Sequence, residues 1–488
     1  MVSNTFYEVS FSEKITRPFQ WWLRTRQGLP GKRELVAQYW AEVNAVMQAH
    51  PGSLTQEDAQ LSLAPWLKSV AFSQGPLRDA WPWMPFPAIH FLETLLTKNS
   101  RVFEYGAGGS SMFFSSRVGE LVSVEHDSHW FELTRKAMGK EKQGAKWRGE
   151  LRLPMQQAQP SGLPPSDPLS YESSDEKLAG LSFHGYASLI DEYDNDYFDV
   201  VLVDGRARPS CFMHAMNKVR MGGYIILDNA ERESYRFIED TAEKLGFEIK
   251  EFWGPGPYNP YCWRTVFLRR VRDHFALNDL DRKLAKHLDF DRGVFVEAGA
   301  NDGIRQSNTM YFETVRGWRG LLVEAIPDLY QQCRRHRPRA KVIWGALAAP
   351  EQVPGSVTLR YAGLMSLVRG GMHSSEEEDA HIDAGCEIQK LDTYEVEAPC
   401  ITLSAALDEA GISHVDLLSL DVEGFEDQAL SGLDLSRHRP SYILVEARYR
   451  EEIDRRLLPY YEVAEELSHH DILYRLRGLQ DSTPINKN

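Results

Sequence analysis

From about residue 100 onward the hydrophobic pattern is made of short, mostly apolar runs, at 101–105, 121–125, 198–203 and 223–227, with helical stretches between them. Strands buried on both faces read this way, and alternation with helices predicts a mostly parallel sheet covered on both sides. Runs at 247–252 and 264–269, joined by Gly254-Pro255-Gly256-Pro257, predict a closing hairpin. The same series of signals then returns at 294–297, 320–324, 415–420 and 441–445, closed by the pair 460–465 and 471–477. Before both series, 33–50 has apolar residues at helical spacing (Leu35, Tyr39, Trp40, Val43, Val46, Met47) and stops at Pro51-Gly52. The expected architecture is therefore a helical region, 1–95, packed on an α/β unit, 96–272, followed by a second α/β unit, 273–488. The junction falls in the charged, helix-prone stretch 271–292. Residues 150–182, with Pro160, Pro164, Pro165 and Pro168, read as an insertion. The segment 370–380 reads as a mobile loop whose acidic run is simply solvated.

Length supports this division, because 488 residues exceed one ordinary core. A net charge of −15 excludes a nucleic-acid backbone as the main partner. The basic run Arg334, Arg335, His336, Arg337, Arg339, Lys341 reads instead as the close of a helix, where cations are favoured. No apolar run reaches the roughly 18 residues a membrane helix needs. Met1 to Ser12 has no basic segment leading into an apolar core, and a cytoplasmic location is expected. Five cysteines without CxxC spacing argue against a disulfide framework or structural zinc.

The candidate chemistry sits at strand ends. Glu104, Gly106 and Gly108 form an acid-and-glycine turn after the first strand, and Glu125 ends the next one. Glycines admit a ligand close to the backbone, and a strand-end carboxylate can accept hydrogen bonds from two ribose hydroxyls. The third glycine of a dinucleotide fingerprint is replaced by Ser111, so a nicotinamide oxidoreductase is the lesser alternative. The segment resembles the first motif of class I methyltransferases, and 122–127 resembles their ribose-binding motif. That resemblance implies a Rossmann-like fold and S-adenosyl-L-methionine as cofactor. Asp204, Asp228 and Asn229 resemble the divalent-metal triad of catechol-type O-methyltransferases; two carboxylates and an amide oxygen suit Mg2+. Alternatively, Asp204 only orients ligands and Asp228-Asn229 cap a helix.

In the second unit Glu297, Gly299, Asn301 and Gly303 resemble the first motif of the FkbM family, Glu324 its ribose acid, and Asp421-Val422-Glu423-Gly424-Phe425-Glu426 its D-x-E-G-x-E block. Asp204, Asp421, Glu423 and Glu446 are the candidate catalytic carboxylates, suited to accept a hydroxyl proton. Glu423 is alternatively a cap for the helix that follows. The family resemblance implies O-methylation of a small-molecule or glycan acceptor. Two competent cofactor sites are expected, the alternative being one active unit with a degenerate partner used for assembly or docking.

Overall fold

The computed structural model describes residues 20–140, 144–159 and 161–479; the Met1 to Ser12 reading lies outside them. Two seven-stranded sheets organise the chain. The first contains β1 (Arg101–Tyr105), β2 (Glu120–Glu125), β3 (Lys146–Leu151), β4 (Phe198–Val203), β5 (Val219–Asp228), β6 (Glu248–Pro255) and β7 (Cys262–Arg269). The second contains β8 (Val294–Ala298), β9 (Arg319–Glu324), β10 (Lys341–Trp344), β11 (Leu417–Leu420), β12 (Tyr442–Glu446), β13 (Tyr461–Glu466) and β14 (Asp471–Leu476). Their orders are β3-β2-β1-β4-β5-β7-β6 and β10-β9-β8-β11-β12-β14-β13, the same path traced twice. Only β7 and β14 run antiparallel to the strands beside them. The fold is α/β and Rossmann-like in both halves.

The mostly apolar runs follow from burial on both faces. Phe103, Tyr105, Val122 and Val201 face one core layer with Cys211 and Phe212, while Val102, Leu121, Val200 and Leu202 face another with Ile89, Leu92 and Phe113. The helices Lys32–Ala49 and Gln56–Phe72 add Leu35, Tyr39, Val43 and Trp66 to that second layer. The path reverses between β1 and β4 and between β8 and β11, which opens a crevice at the carboxyl ends of those strands.

Three expectations are corrected. The hairpin closing the first sheet runs through Gly254 and Pro255, paired with Trp263 and Cys262, so its loop begins at Gly256. The stretch 271–292 holds only a short turn and the helix Leu280–Leu284. The acidic segment read as a loop begins the 15-residue helix Ser375–Gln389. Ser374 caps it by accepting from the Glu377 amide, and Glu376, Glu377 and Glu378 occupy the first turn, where the helix dipole favours acids. The basic run behaves as read: Arg334, Arg335 and His336 fill the last turn of the Pro327–His336 helix. All five cysteines are free thiols. No helix among the described residues is long and apolar enough to cross a membrane.

Candidate functional site

All the sequence-derived residues of the second half except Gly303 line one cavity of about 400 Å³. Its floor is the turn after β8. Gly299 there has φ +76°, and any side chain would collide with the Asp421 carbonyl of the neighbouring strand. Asn301 is also left-handed, at φ +50°, and Gly303 follows at φ +83°. This conformation lets the Asn301 amide reach Glu324 Oε2 at 2.8 Å, while the Ile326 amide reaches Oε1 at 2.8 Å. Burial is the main reason the Glu324 carboxyl is pushed up to about 7, against the pull of those amides. Each oxygen keeps a lone pair for a further donor. Ile326, Leu329, Leu347 and Leu359 supply an apolar wall beside it.

Glu297 borders the cavity but spends its oxygens inward. Oε1 accepts from the Asn308 amide at 2.8 Å, and Oε2 accepts from Ser307 Oγ at 2.8 Å and Thr309 Oγ1 at 2.5 Å. It ties the loop after the turn rather than presenting a free carboxylate.

Across the cavity, one carboxylate oxygen from each of Asp421, Glu423 and Glu446 lies within 4.8 Å of the others. Asp421 is reached by solvent through the cavity although protein surrounds it closely. Burial, and then the charges of Glu446 and Glu423, push its carboxyl well above the carboxylate range. Glu446 is raised too, by burial first and Glu423 second. Asp421 and Glu446 thus face each other, one oxygen of each within 4.8 Å of the other. Glu423 does not cap the next helix. It stands at φ +54° with Oε2 3.2 Å from His381 Nε2 and 3.4 Å from an Arg448 guanidinium nitrogen. Glu426 serves the backbone instead, accepting from the Val422 and Gly424 amides at 3.1 and 3.0 Å.

His381 and Arg448 were missed in the sequence. Arg448 stands two residues past Glu446, a spacing that could have shown it. His381 lies on the helix read as a loop, so nothing pointed to it.

The first half repeats the backbone, with other groups set close against its turn. Gly106, at φ +98°, packs against the Asp204 carbonyl. Glu125 accepts from the Ala107, His126 and Asp127 amides at 3.0, 2.7 and 2.9 Å, and His126 Nδ1 lies 2.8 Å away. Trp130 lies against Gly108 and donates from Nε1 to the Ala107 carbonyl at 2.6 Å. The Trp81 carbonyl closes on Gly109 from the N-terminal region. Glu104 is fully buried under hydroxyls of Ser110, Ser111 and Ser123.

The metal expectation is corrected here. Arg208, itself buried, places its guanidinium among the three residues: it donates to Asp204 Oδ1 at 3.0 Å, Asn229 Oδ1 at 3.3 Å and the Asp228 carbonyl. Asp228 Oδ1 is turned away to Trp263 Nε1 at 3.0 Å and to Thr265. A fixed cation already neutralises this corner, so Asp204, Asp228 and Asn229 do not surround a place for Mg2+.

Residues 297–479 match the family model described as the methyltransferase FkbM domain. This part of the chain is an FkbM methyltransferase domain. Among solved structures, the chain is similar to a methyltransferase-like protein from Silicibacter pomeroyi, at 20% identity over 39% of this chain and 91% of that one, TM-score 0.27. It is also similar to an O-methyltransferase from Bacillus cereus in complex with SAH, at 13% identity over 48% of this chain and all of that one (100%), TM-score 0.29. Among curated proteins none matches the sequence.

Proposed function

We propose that this chain is an S-adenosylmethionine-dependent O-methyltransferase with one working cofactor site, in the FkbM domain, and that the N-terminal half is a non-catalytic partner. In this reading the chain divides into a helical region, 1–95, and two α/β units, 96–272 and 273–488; the two distinct seven-stranded sheets support it. The observation that carries the reading is the cavity of about 400 Å³ between Glu324 and the Asp421–Glu446 pair. That size lies in the range of small-molecule pockets, roughly 300–1,000 Å³. In the first half Trp130 lies on the equivalent turn and Arg208 holds the acidic corner.

The lining fits the cofactor. Glu324 offers acceptors suited to ribose hydroxyls, the apolar wall beside it suits a purine, and the carboxylates opposite suit a cation. When bound, the cofactor supplies a methyl group already activated by its sulfonium. The chain's own residues hold the acceptor and move its proton. The Asp421–Glu446 pair, with one oxygen of each within 4.8 Å of the other, takes the proton from an acceptor hydroxyl. Arg448 and His381 hold Glu423 beside it. A rim mixing carboxylates, imidazoles and a guanidinium both donates and accepts hydrogen bonds, which suits a hydroxyl-rich small molecule or glycan.

The test is methyl transfer from tritium-labelled S-adenosylmethionine to a panel of monosaccharides and glycosides. Asp421→Asn lowers kcat by about 10²- to 10⁴-fold, the usual worth of a general base, while S-adenosylhomocysteine still binds. Turnover equal to that of the parent protein would rule the assignment out.

A further inference from the structure

We infer that the N-terminal half holds the FkbM domain's cofactor turn in shape, with Lys244 as the positioning residue; this rests on the cofactor assignment above. Lys244 ends the Arg236–Lys244 helix of the first half. Its Nζ reaches across to Asp302 Oδ2 at 3.0 Å and donates to Gln332 Oε1 at 3.1 Å. Asp302 sits inside the Gly299–Gly303 turn and is almost wholly buried, at 2% exposure. Its Oδ1 accepts from the Ile304 and Arg305 amides at 3.0 and 2.9 Å, so the carboxylate fixes the backbone that leaves the turn. Lys244 is its nearest cation; Arg305, much more exposed, stands 3.8 Å off.

The contact is not isolated. Phe237 of the same helix stacks on His336, and His336 Nδ1 donates to the Asp302 carbonyl at 2.6 Å. Ile304 and Met310, from the loop after the turn, are buried in the core cluster of the first half. Asn195 Nδ2 donates to the Thr314 carbonyl at 2.7 Å, and Arg335 and Arg339 pair with Asp167 and Asp191 of the first half at 2.7 and 2.6 Å. The turn that forms the cavity floor is thus held between its own Pro327–His336 helix and the neighbouring half. This bracing gives the first half, whose own turn carries Trp130, a role in the second.

The experiment compares the full-length chain with Lys244→Met, Lys244→Arg and Phe237→Leu. In ligand-free protein, hydrogen–deuterium exchange is followed at 299–310. Separately, affinity for S-adenosylhomocysteine is measured by calorimetry. Lys244→Met is expected to speed exchange in that segment alone and to weaken affinity about tenfold, the scale of one lost charge-assisted hydrogen bond. Its cofactor KM rises while kcat at saturation stays near the parent value. Lys244→Arg restores both readouts, and Phe237→Leu gives a milder form of the same change. Parent-like exchange and affinity in Lys244→Met overturn the inference. If the parent chain binds no S-adenosylhomocysteine, the cofactor reading falls instead, and exchange at 299–310 decides the bracing by itself.

Discussion

Glu324 and Glu125 end equivalent strands, and each accepts from the glycine turn opposite, yet only Glu324 lines the cavity. With its carboxyl near 7, Glu324 changes charge in the neutral range. Ionised, it offers every lone pair its two amide donors leave free; protonated, it loses an acceptor position. S-adenosylhomocysteine binding should therefore tighten as pH rises through 7, by up to about tenfold between about pH 6 and 8. Equal affinity at both ends would contradict this role. Glu104 carries a second pH effect of a different kind. Burial raises its carboxyl to about 7 from the ordinary 4.5. The folded state therefore binds a proton that the unfolded chain releases between these values. Stability is fullest below 4.5 and is lost as pH rises to about 7, on the order of 3 kcal/mol for this group. Glu104→Gln should remove that slope from the thermal midpoint; a slope kept intact would place the pH dependence elsewhere.

At the scale of elements, the sequence yields the sheets because burial on both faces writes itself as mostly apolar runs. The runs at 101–105 and 198–203 became β1 and β4 with the same ends. β3 and β10 were not legible: at the sheet edges, Lys146–Leu151 and Lys341–Trp344 are only partly buried and carry charges. The Ser375–Gln389 helix was hidden for another reason. Its acids look like solvated loop until the cap at Ser374 explains them. Since that helix carries His381 to Glu423, its stability bears on the acceptor side. Ser374→Ala should cost about 1 kcal/mol and raise acceptor KM more than cofactor KM. Equal effects on both would detach the helix from the acceptor. Site residues were readable where a motif fixed them to a strand end, as at Glu324 and Asp421. They were not readable where a distant element delivered them, as at His381. Nor did spacing reveal that Arg208, four residues past Asp204, would turn back into the acidic corner.

On the scale of the whole molecule, one path of strands is traced twice, and the cavity of about 400 Å³ lies at the second copy. The first half buries Glu104, lays Trp130 on its turn and fixes Arg208 among Asp204, Asp228 and Asn229. Charged groups of the first half meet the second through Lys244, Asp167 and Asp191. Burying Met310 between the halves makes their association part of the fold; Met310→Ala should cost about 2–5 kcal/mol in the unfolding midpoint of the full chain. A loss confined to the second half would argue that the halves unfold separately. The central claim is a single cofactor site, and calorimetric titration with S-adenosylhomocysteine counts it. One ligand per chain, abolished in Glu324→Ala and retained in Glu125→Gln, is the predicted result. Two ligands per chain, or one that survives Glu324→Ala and disappears in Glu125→Gln, would contradict it.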